Sequence, residues 1–204
     1  MVNQSSTSNL YVMLTPAGVL EAFSSAEPTE MQLALQAVIS ERTSMSVELW
    51  VQQFSTQSLE HAMHQHWIEC IESYSSAPDL PLDDFLPHVV SSLSGQRKAA
   101  IASAEGFCLA HIGYSQEDAE MLCVAAGDFA SFLQRQQQRG WHTTAKAISF
   151  FEQVDLVMPS TSLVLLWIDG QGYILILDSE PLINSRAFVE LIWAIKTSGL
   201  RFQV

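Results

Sequence analysis

The sequence predicts an α/β (α+β) fold: a five-stranded, mostly antiparallel sheet with helices on both faces, in the order α-ββ-α-βββ-α, preceded by a small all-helical domain. Three observations support this prediction. Between residues 98 and 177, short apolar runs form a group of two and a group of three, and a helical pattern separates the groups. Several runs consist of consecutive Val, Ile and Leu, which is typical of strands covered on both faces. A polar stretch with two prolines, at 75–81, separates this region from the preceding one.

The composition indicates a folded protein, because 48% of the residues are apolar and only 15% are charged. No apolar run approaches the ~18 residues that cross a bilayer. Residues 1–9 are polar and uncharged, so we expect a flexible tail there and no secretory signal. The three cysteines, Cys70, Cys108 and Cys123, form no C-x-x-C pair and fit a reducing compartment. We therefore expect a cytoplasmic protein.

The charge is acidic and unevenly distributed. Residues 1–96 contain one basic side chain, Arg42, and eleven acidic ones, so they carry −10 of the net charge of −13. Nucleic-acid binding depends on Lys and Arg contacts to phosphates, and anionic membranes attract the same side chains. The charge therefore argues against nucleic acid and membrane as partners.

Residues 10–75 are predicted to form several short helices. Pro16 and Pro28 each mark a helix start, Ser44 or Ser46 caps a third helix, and a fourth begins at Leu59. This fourth helix is expected to extend to residue 73, with one apolar face made of Met63, Trp67, Cys70 and Ile71. A short helix, a polar turn at 55–58 and a longer helix outline a helix-turn-helix, so the domain is either a winged helix or a plain bundle. Residues 76–81 are the predicted linker, and residues 82–204 form the second domain.

The second domain, called the C-terminal module here, begins with a helix at 82–94. A hairpin follows at 98–104 and 107–112, and Ser115 caps a long helix that extends to Arg139. Three strands are expected at 147–154, 163–168 and 173–177, the last two joined by a Gly-rich turn at 169–172. Asn184 is expected to cap a final helix that ends at Gly199.

Three stretches of this module resemble the roadblock / dynein light-chain family. Residues 99–113 are similar to the first hairpin of the family, with an acidic-Gly turn at Glu105 and Gly106. Residues 115–120 resemble the polar entry into its long helix, and residues 172–178 resemble its closing strand. The resemblance covers the chain from about Leu82 to its end.

The resemblance implies a homodimer in which the third strands align into one continuous sheet and the long helices lie side by side. It also implies a platform for small GTPases or for motor and signalling assemblies, with no bound nucleotide or other cofactor. The chain departs from the minimal family in its N-terminal domain and in the stretch at 140–145. Both departures bear on whether the usual partner surface is free.

No catalytic motif is recognisable in the sequence, so we expect a protein that is not an enzyme and holds no metal. There is no G-x-S-x-G and no phosphate-binding loop. The strongest candidates for chemistry are His61, His64, His66 and Cys70, of which His66 and Cys70 have the i, i+4 spacing that can bind zinc. His64 is rotated about 200° from His66 on a helix, so a structural role is favoured.

The long helix is apolar on more than one stripe, and this pattern predicts a dimer or partner interface. One stripe would cover the sheet, while the other needs either a second subunit or the N-terminal domain. The predicted interface residues are Met121, Leu122, Ala125, Phe129, Phe132, Ile148 and Phe150. The function that follows is a non-enzymatic regulator or scaffold that homodimerises and docks a protein such as a small GTPase. The alternative is a small-ligand sensor that signals through the N-terminal domain.

Overall fold

The computed structural model describes residues 10–79, 89, 92–141, 147–152 and 157–198. The tail predicted at 1–9 and most of the helix predicted at 82–94 lie outside the described residues. So do the end of the predicted linker and the cap predicted at Gly199. Within the described residues, no helix has both the length and the apolar composition needed to span a bilayer.

The C-terminal module contains the predicted five-stranded sheet, with every neighbouring pair antiparallel. The spatial order is β5-β4-β8-β7-β6. Its strands are β4 (Ala99–Ser103), β5 (Cys108–Ile112), β6 (Ala147–Phe150), β7 (Thr161–Ile168) and β8 (Gln171–Asp178). Two helices follow in the chain order expected: α5 (Gln116–Gln138) after β5 and α6 (Arg186–Ser198) after β8. The predicted sheet and the two helices after β5 and β8 are confirmed, although β6 ends at Phe150, earlier than expected.

The two helices cover opposite faces of the sheet, as the uninterrupted apolar runs predicted. Successive side chains of a strand point to opposite faces. The strand residues in the cluster with α5 therefore alternate with those in the cluster with α6. On β4, for example, Ala100 and Ala102 belong to the α5 side, whereas Ala99 and Ile101 belong to the α6 side.

The β7–β8 hairpin turns on Asp169 and Gly170. Both residues have a positive φ, of 51° and 78°. Two consecutive left-handed residues form the type I′ turn, whose twist matches that of antiparallel strands, and Asp-Gly is a preferred sequence for it. The predicted turn at 169–172 is therefore shorter than expected, because Gly172 already belongs to β8.

The N-terminal segment, residues 10–79, is not all-helical, and this part of the prediction is wrong. It has four short helices: α1 (Pro16–Ala22), α2 (Glu30–Ala37), α3 (Val47–Gln53) and α4 (Thr56–His64). It also has a three-stranded antiparallel sheet in the order β2-β1-β3, made of β1 (Tyr11–Leu14), β2 (Met45–Ser46) and β3 (Ile68–Ile71). A plain helical bundle is excluded, whereas the winged helix remains a prediction.

The fourth predicted helix is the main error in this segment. Helix α4 begins at Thr56 and ends at His64, and His66 has a φ of 56°, which reverses the chain. The next residues, Ile68–Ile71, pair with β1 instead of continuing the helix. The apolar residues at 63, 67, 70 and 71 have helical spacing, but pairing with a distant strand outweighs this local pattern.

The N-terminal segment packs on the α6 side of the module. The Trp193 side chain is 1% exposed, and its Nε1 donates a hydrogen bond to the Glu41 carbonyl at 2.7 Å. The backbone N–H of Trp167 on β7 donates to the Phe23 carbonyl at 2.8 Å. Buried residues of the N-terminal segment and of α6 form one continuous apolar cluster. The N-terminal segment therefore covers α6, and the α5 side belongs to a separate cluster.

Candidate docking face on the long helix and the edge strand

Helix α5 begins at a strong local signal. Ser115 is the N-cap, and its hydroxyl accepts a hydrogen bond from the Asp118 N–H at 3.1 Å. Glu117 and Asp118 lie in the first turn, where a negative charge interacts favourably with the helix dipole and stabilises the helix. The helix then extends for 23 residues, which is about 34 Å.

The inner face of α5 consists mainly of small side chains, so the helix lies close to the sheet. The buried residues of the helix are Ala119, Cys123, Ala126, Gly127, Ala130 and Leu133. At Gly127 a Cβ atom would lie 2.7 Å from the backbone N and Cα of Gly106, at the β4–β5 turn. Leu122 and Phe129, predicted as interface residues, are half-buried and pack against this cluster.

The outer face of α5 exposes large apolar side chains to solvent. Met121 is 64% exposed, Val124 59% and Phe132 39%, and Ala125 is also exposed. Three of these four residues were predicted as interface residues; Val124 was not. The N-terminal segment does not explain this apolar surface, because it packs on the opposite side of the sheet.

Four aromatic rings connect α5 to β6 and to the chain after α5. Phe129 contacts Phe132 and Phe150, with ring centroids 5.9 and 6.4 Å apart, and Phe132 contacts Trp141 at 6.4 Å. Phe150 and Trp141 are 48% and 54% exposed. Tilted and edge-on pairs are the arrangements that aromatic rings prefer. Phe129, Phe132 and Phe150 were predicted for this surface, but Trp141 was missed, because its only signal is an aromatic residue after a helix-ending glycine.

Strand β6 is at the edge of the sheet. It pairs with β7 through Ala147–Phe150 and is last in the sheet order, so its other edge has no partner strand among the described residues. An open edge presents unpaired N–H and C=O groups to any strand that approaches it. Ile148 is half-buried and Phe150 is exposed on this strand. We call the exposed outer side of α5 together with β6 and Trp141 the α5–β6 face.

The space between α5 and the sheet is nearly filled. A cavity of about 10 Å³ lies there, lined by residues such as Phe129, Leu133 and Ile148. This volume corresponds to about one water molecule. A small-ligand site of the usual size needs several hundred Å³, so the α5 side of the sheet does not provide one.

The histidine cluster does not come together as a metal site. His61 and His64 lie on α4, whereas Cys70 lies on β3, so His66 and Cys70 do not have the helical spacing that zinc binding would need. Instead, the ring of His61 contacts Trp67 edge-on, with centroids 5.6 Å apart. Among the described residues, no group of three or more His, Cys, Asp or Glu side chains could hold a metal ion.

The perturbed side chains have pKa values that lie farther from neutrality than usual. Burial, with a hydrogen bond to Cys108 as a second cause, raises the pKa of the Cys123 thiol to about 12. Burial also raises the pKa of Cys70, and burial together with the charge of Asp178 raises the pKa of Tyr114. A nucleophile or a general base at neutral pH requires the opposite direction for a thiol or a phenol.

Comparisons with known proteins concern the fold. Neither a protein-family model nor a curated protein matches the sequence. Among solved structures, the chain is similar to a Roadblock/LC7 domain from Streptomyces avermitilis, with 16% identity and a TM-score of 0.38, over 61% of this chain and 96% of that one. It is also similar to Myxococcus xanthus MglB, with 14% identity and a TM-score of 0.36, over 58% of this chain and 90% of that one. The first is a domain of the family that residues 99–113, 115–120 and 172–178 resemble.

Proposed function

We propose that this chain is a non-enzymatic regulator or scaffold that forms a homodimer through the α5–β6 face and docks a protein partner. A small GTPase is the proposed partner class, and a cytoplasmic location remains a prediction from the composition. The observation that carries the dimer is the coincidence of an exposed apolar helix face with an open strand edge. A second copy related by a twofold axis would cover both at once, because a twofold interface places the same surface on each subunit.

The arrangement of the N-terminal segment supports this proposal. If that segment covered α5, the apolar residues on the outer face would need no partner. It contacts Trp193 of α6 through Glu41 and Trp167 of β7 through Phe23, which leaves the α5–β6 face available. A stable dimer buries about 800 Å² on each subunit. Helix α5, about 34 Å long, together with β6 paired to its copy in the second subunit, offers a surface of suitable length.

Serine substitutions test the dimer. Phe132→Ser and Phe150→Ser remove exposed aromatic rings from the α5–β6 face, and Tyr74→Ser removes a ring that is 66% exposed on the N-terminal segment. In sedimentation equilibrium, the first two variants should dissociate at concentrations at which wild type and Tyr74→Ser remain dimeric. If all three variants associate as wild type does, the α5–β6 face is not the interface.

The partner class rests on the family resemblance of residues 99–113, 115–120 and 172–178. Small GTPases encoded in the same genome can be purified, loaded with GDP or a non-hydrolysable GTP analogue, and titrated against the wild-type protein by calorimetry. The proposal expects saturable binding that depends on the nucleotide. If no GTPase of the set binds in either nucleotide state, the proposal of a GTPase partner is wrong, and the proposal of a dimer is unaffected.

The second candidate function, a small-ligand sensor, has less support. It requires a ligand between sheet and helix, and that space holds about one water on the α5 side. It would gain support from a small molecule that stabilises the protein against heat and shifts the signals of residues lining this space.

A further inference from the structure

The N-terminal segment contains a groove that lies outside the α5–β6 face. It lies between α2 and the corner that joins α3 to α4, and it has a volume of about 630 Å³. Met31 and Leu33 of α2 line one wall, and Phe54, Ser55 and His61 line the other. We call it the α2–α4 groove.

The α2–α4 groove is lined by apolar and polar residues together. Leu33 is 49% exposed, and Met31 and Phe54 are half-buried. The Phe54 ring is fixed against Trp50, with centroids 5.4 Å apart. The residues that line the groove come from helices and their connecting corner, and none comes from a strand. A peptide therefore finds no strand edge to extend, and the form that suits such a groove is an amphipathic helix.

The segment that holds the groove is strongly acidic, which favours a cationic partner. Residues 10–79 contain nine acidic side chains and one basic side chain. That basic residue, Arg42, pairs with Asp79 at 2.7 Å. Glu30 lines the groove itself. A helix with Lys or Arg beside its apolar stripe would meet complementary charge here, whereas an acidic helix would be repelled.

The backbone at the corner of the groove is strained. Ser55 has φ 113° and ψ 159°, a region that is essentially reserved for glycine. Hydrogen bonds hold the corner in place: the Ser58 N–H donates to the Ser55 hydroxyl at 3.2 Å, and the Ser58 hydroxyl donates to the Ser55 carbonyl at 2.8 Å. Trp50 Nε1 donates to the Ser58 hydroxyl at 3.1 Å. The groove is therefore preformed at this wall, which lowers the ordering cost of binding.

We propose that the α2–α4 groove binds a cationic amphipathic helix of a protein partner. Its apolar side chains would pack on Met31, Leu33 and Phe54, while its Lys or Arg side chains would face Glu30. This is a second docking surface, independent of the α5–β6 face and of the identity of any GTPase.

The test uses a fluorescein-labelled amphipathic helix of leucine and lysine, and the same helix with glutamate in place of lysine. Fluorescence anisotropy with the full-length protein at low salt should show saturable binding of the lysine peptide and none of the glutamate peptide. Raising the salt concentration should weaken binding, because it screens the charges. Equal binding of the two peptides would overturn the proposal.

Matched variants locate the peptide. Leu33→Gln and Glu30→Gln alter the groove, while Leu49→Gln and Glu48→Gln alter exposed residues of α3 that do not line it. Leu33→Gln should weaken binding about fivefold or more, since it removes an apolar contact that the peptide would bury. Leu49→Gln and Glu48→Gln should bind as wild type does. If Leu33→Gln and Leu49→Gln bind equally well, or if hydrogen exchange shows protection of α5 instead of α2 and α4, the groove is not the site.

Discussion

Trp193 joins the N-terminal segment to the C-terminal module, and its replacement by phenylalanine tests this attachment. The indole is 1% exposed, and its Nε1 donates to the Glu41 carbonyl at 2.7 Å. Phenylalanine keeps an aromatic ring but loses the donor and part of the volume. The lost hydrogen bond costs about 1 kcal/mol, and the cavity adds about 1–2 kcal/mol. We therefore expect Trp193→Phe to lower the free energy of unfolding by about 2–3 kcal/mol.

Urea denaturation followed by circular dichroism measures this change. Tyr74→Phe is the control, because Tyr74 is 66% exposed and lies outside the α5–β6 face, and the free energy of unfolding of this variant should differ from wild type by less than about 0.5 kcal/mol. The shared apolar cluster also predicts that wild type unfolds in one transition. If Trp193→Phe is no more destabilised than Tyr74→Phe, or if the N-terminal segment unfolds separately in wild type, Trp193 does not couple the two parts of the chain.

Three further substitutions test local features. Ser55→Gly should raise the free energy of unfolding by about 1 kcal/mol, because glycine tolerates this backbone conformation. Ser46→Gly, at an unstrained N-cap, should lower the free energy of unfolding, and urea denaturation of both variants checks this. Gly127→Ala should destabilise by about 1–2 kcal/mol in the same assay, since its Cβ would collide with the Gly106 backbone; wild-type stability would contradict the close approach. The pKa of Cys123 is raised in the folded state, so wild type should lose stability as the pH rises above about 9, where the unfolded thiol ionises. Cys123→Ala should lose less stability than wild type between about pH 7 and 10. Parallel losses in the two proteins would show that the thiol does not contribute.

The C-terminal module could be predicted because its signals are local. Ser115 with its acidic first turn defines the start of α5, and Asp169 with Gly170 defines a hairpin. The uninterrupted apolar runs predicted a sheet covered on both faces. The apolar stripes did not show which side of α5 covers the sheet; small residues such as Cys123 and Ala130 are buried against it, while Leu122 and Phe129 are half-buried.

The N-terminal segment could not be predicted to the same extent, because its strands depend on distant partners. β1 pairs with β3 more than fifty residues away, and the short apolar run Tyr11–Leu14 fits a strand and a helix equally well until that partner is known. The α2–α4 groove was also missed, since its walls come from residues that only the tertiary fold brings together. Ser55 in its wall has a backbone conformation typical of glycine, and a serine in the sequence gives no indication of that conformation.

The central proposal is that a second copy of the chain covers the α5–β6 face, and hydrogen exchange across a dilution series tests it most directly. Amides of β6 and of the outer side of α5 should exchange more slowly as the protein concentration rises, because dimerisation pairs the open edge of β6. The other edge strand, β5, serves as an internal control and should exchange at a rate independent of concentration. Exchange of β6 that does not depend on concentration, or protection that develops at β5 instead, would contradict the proposal.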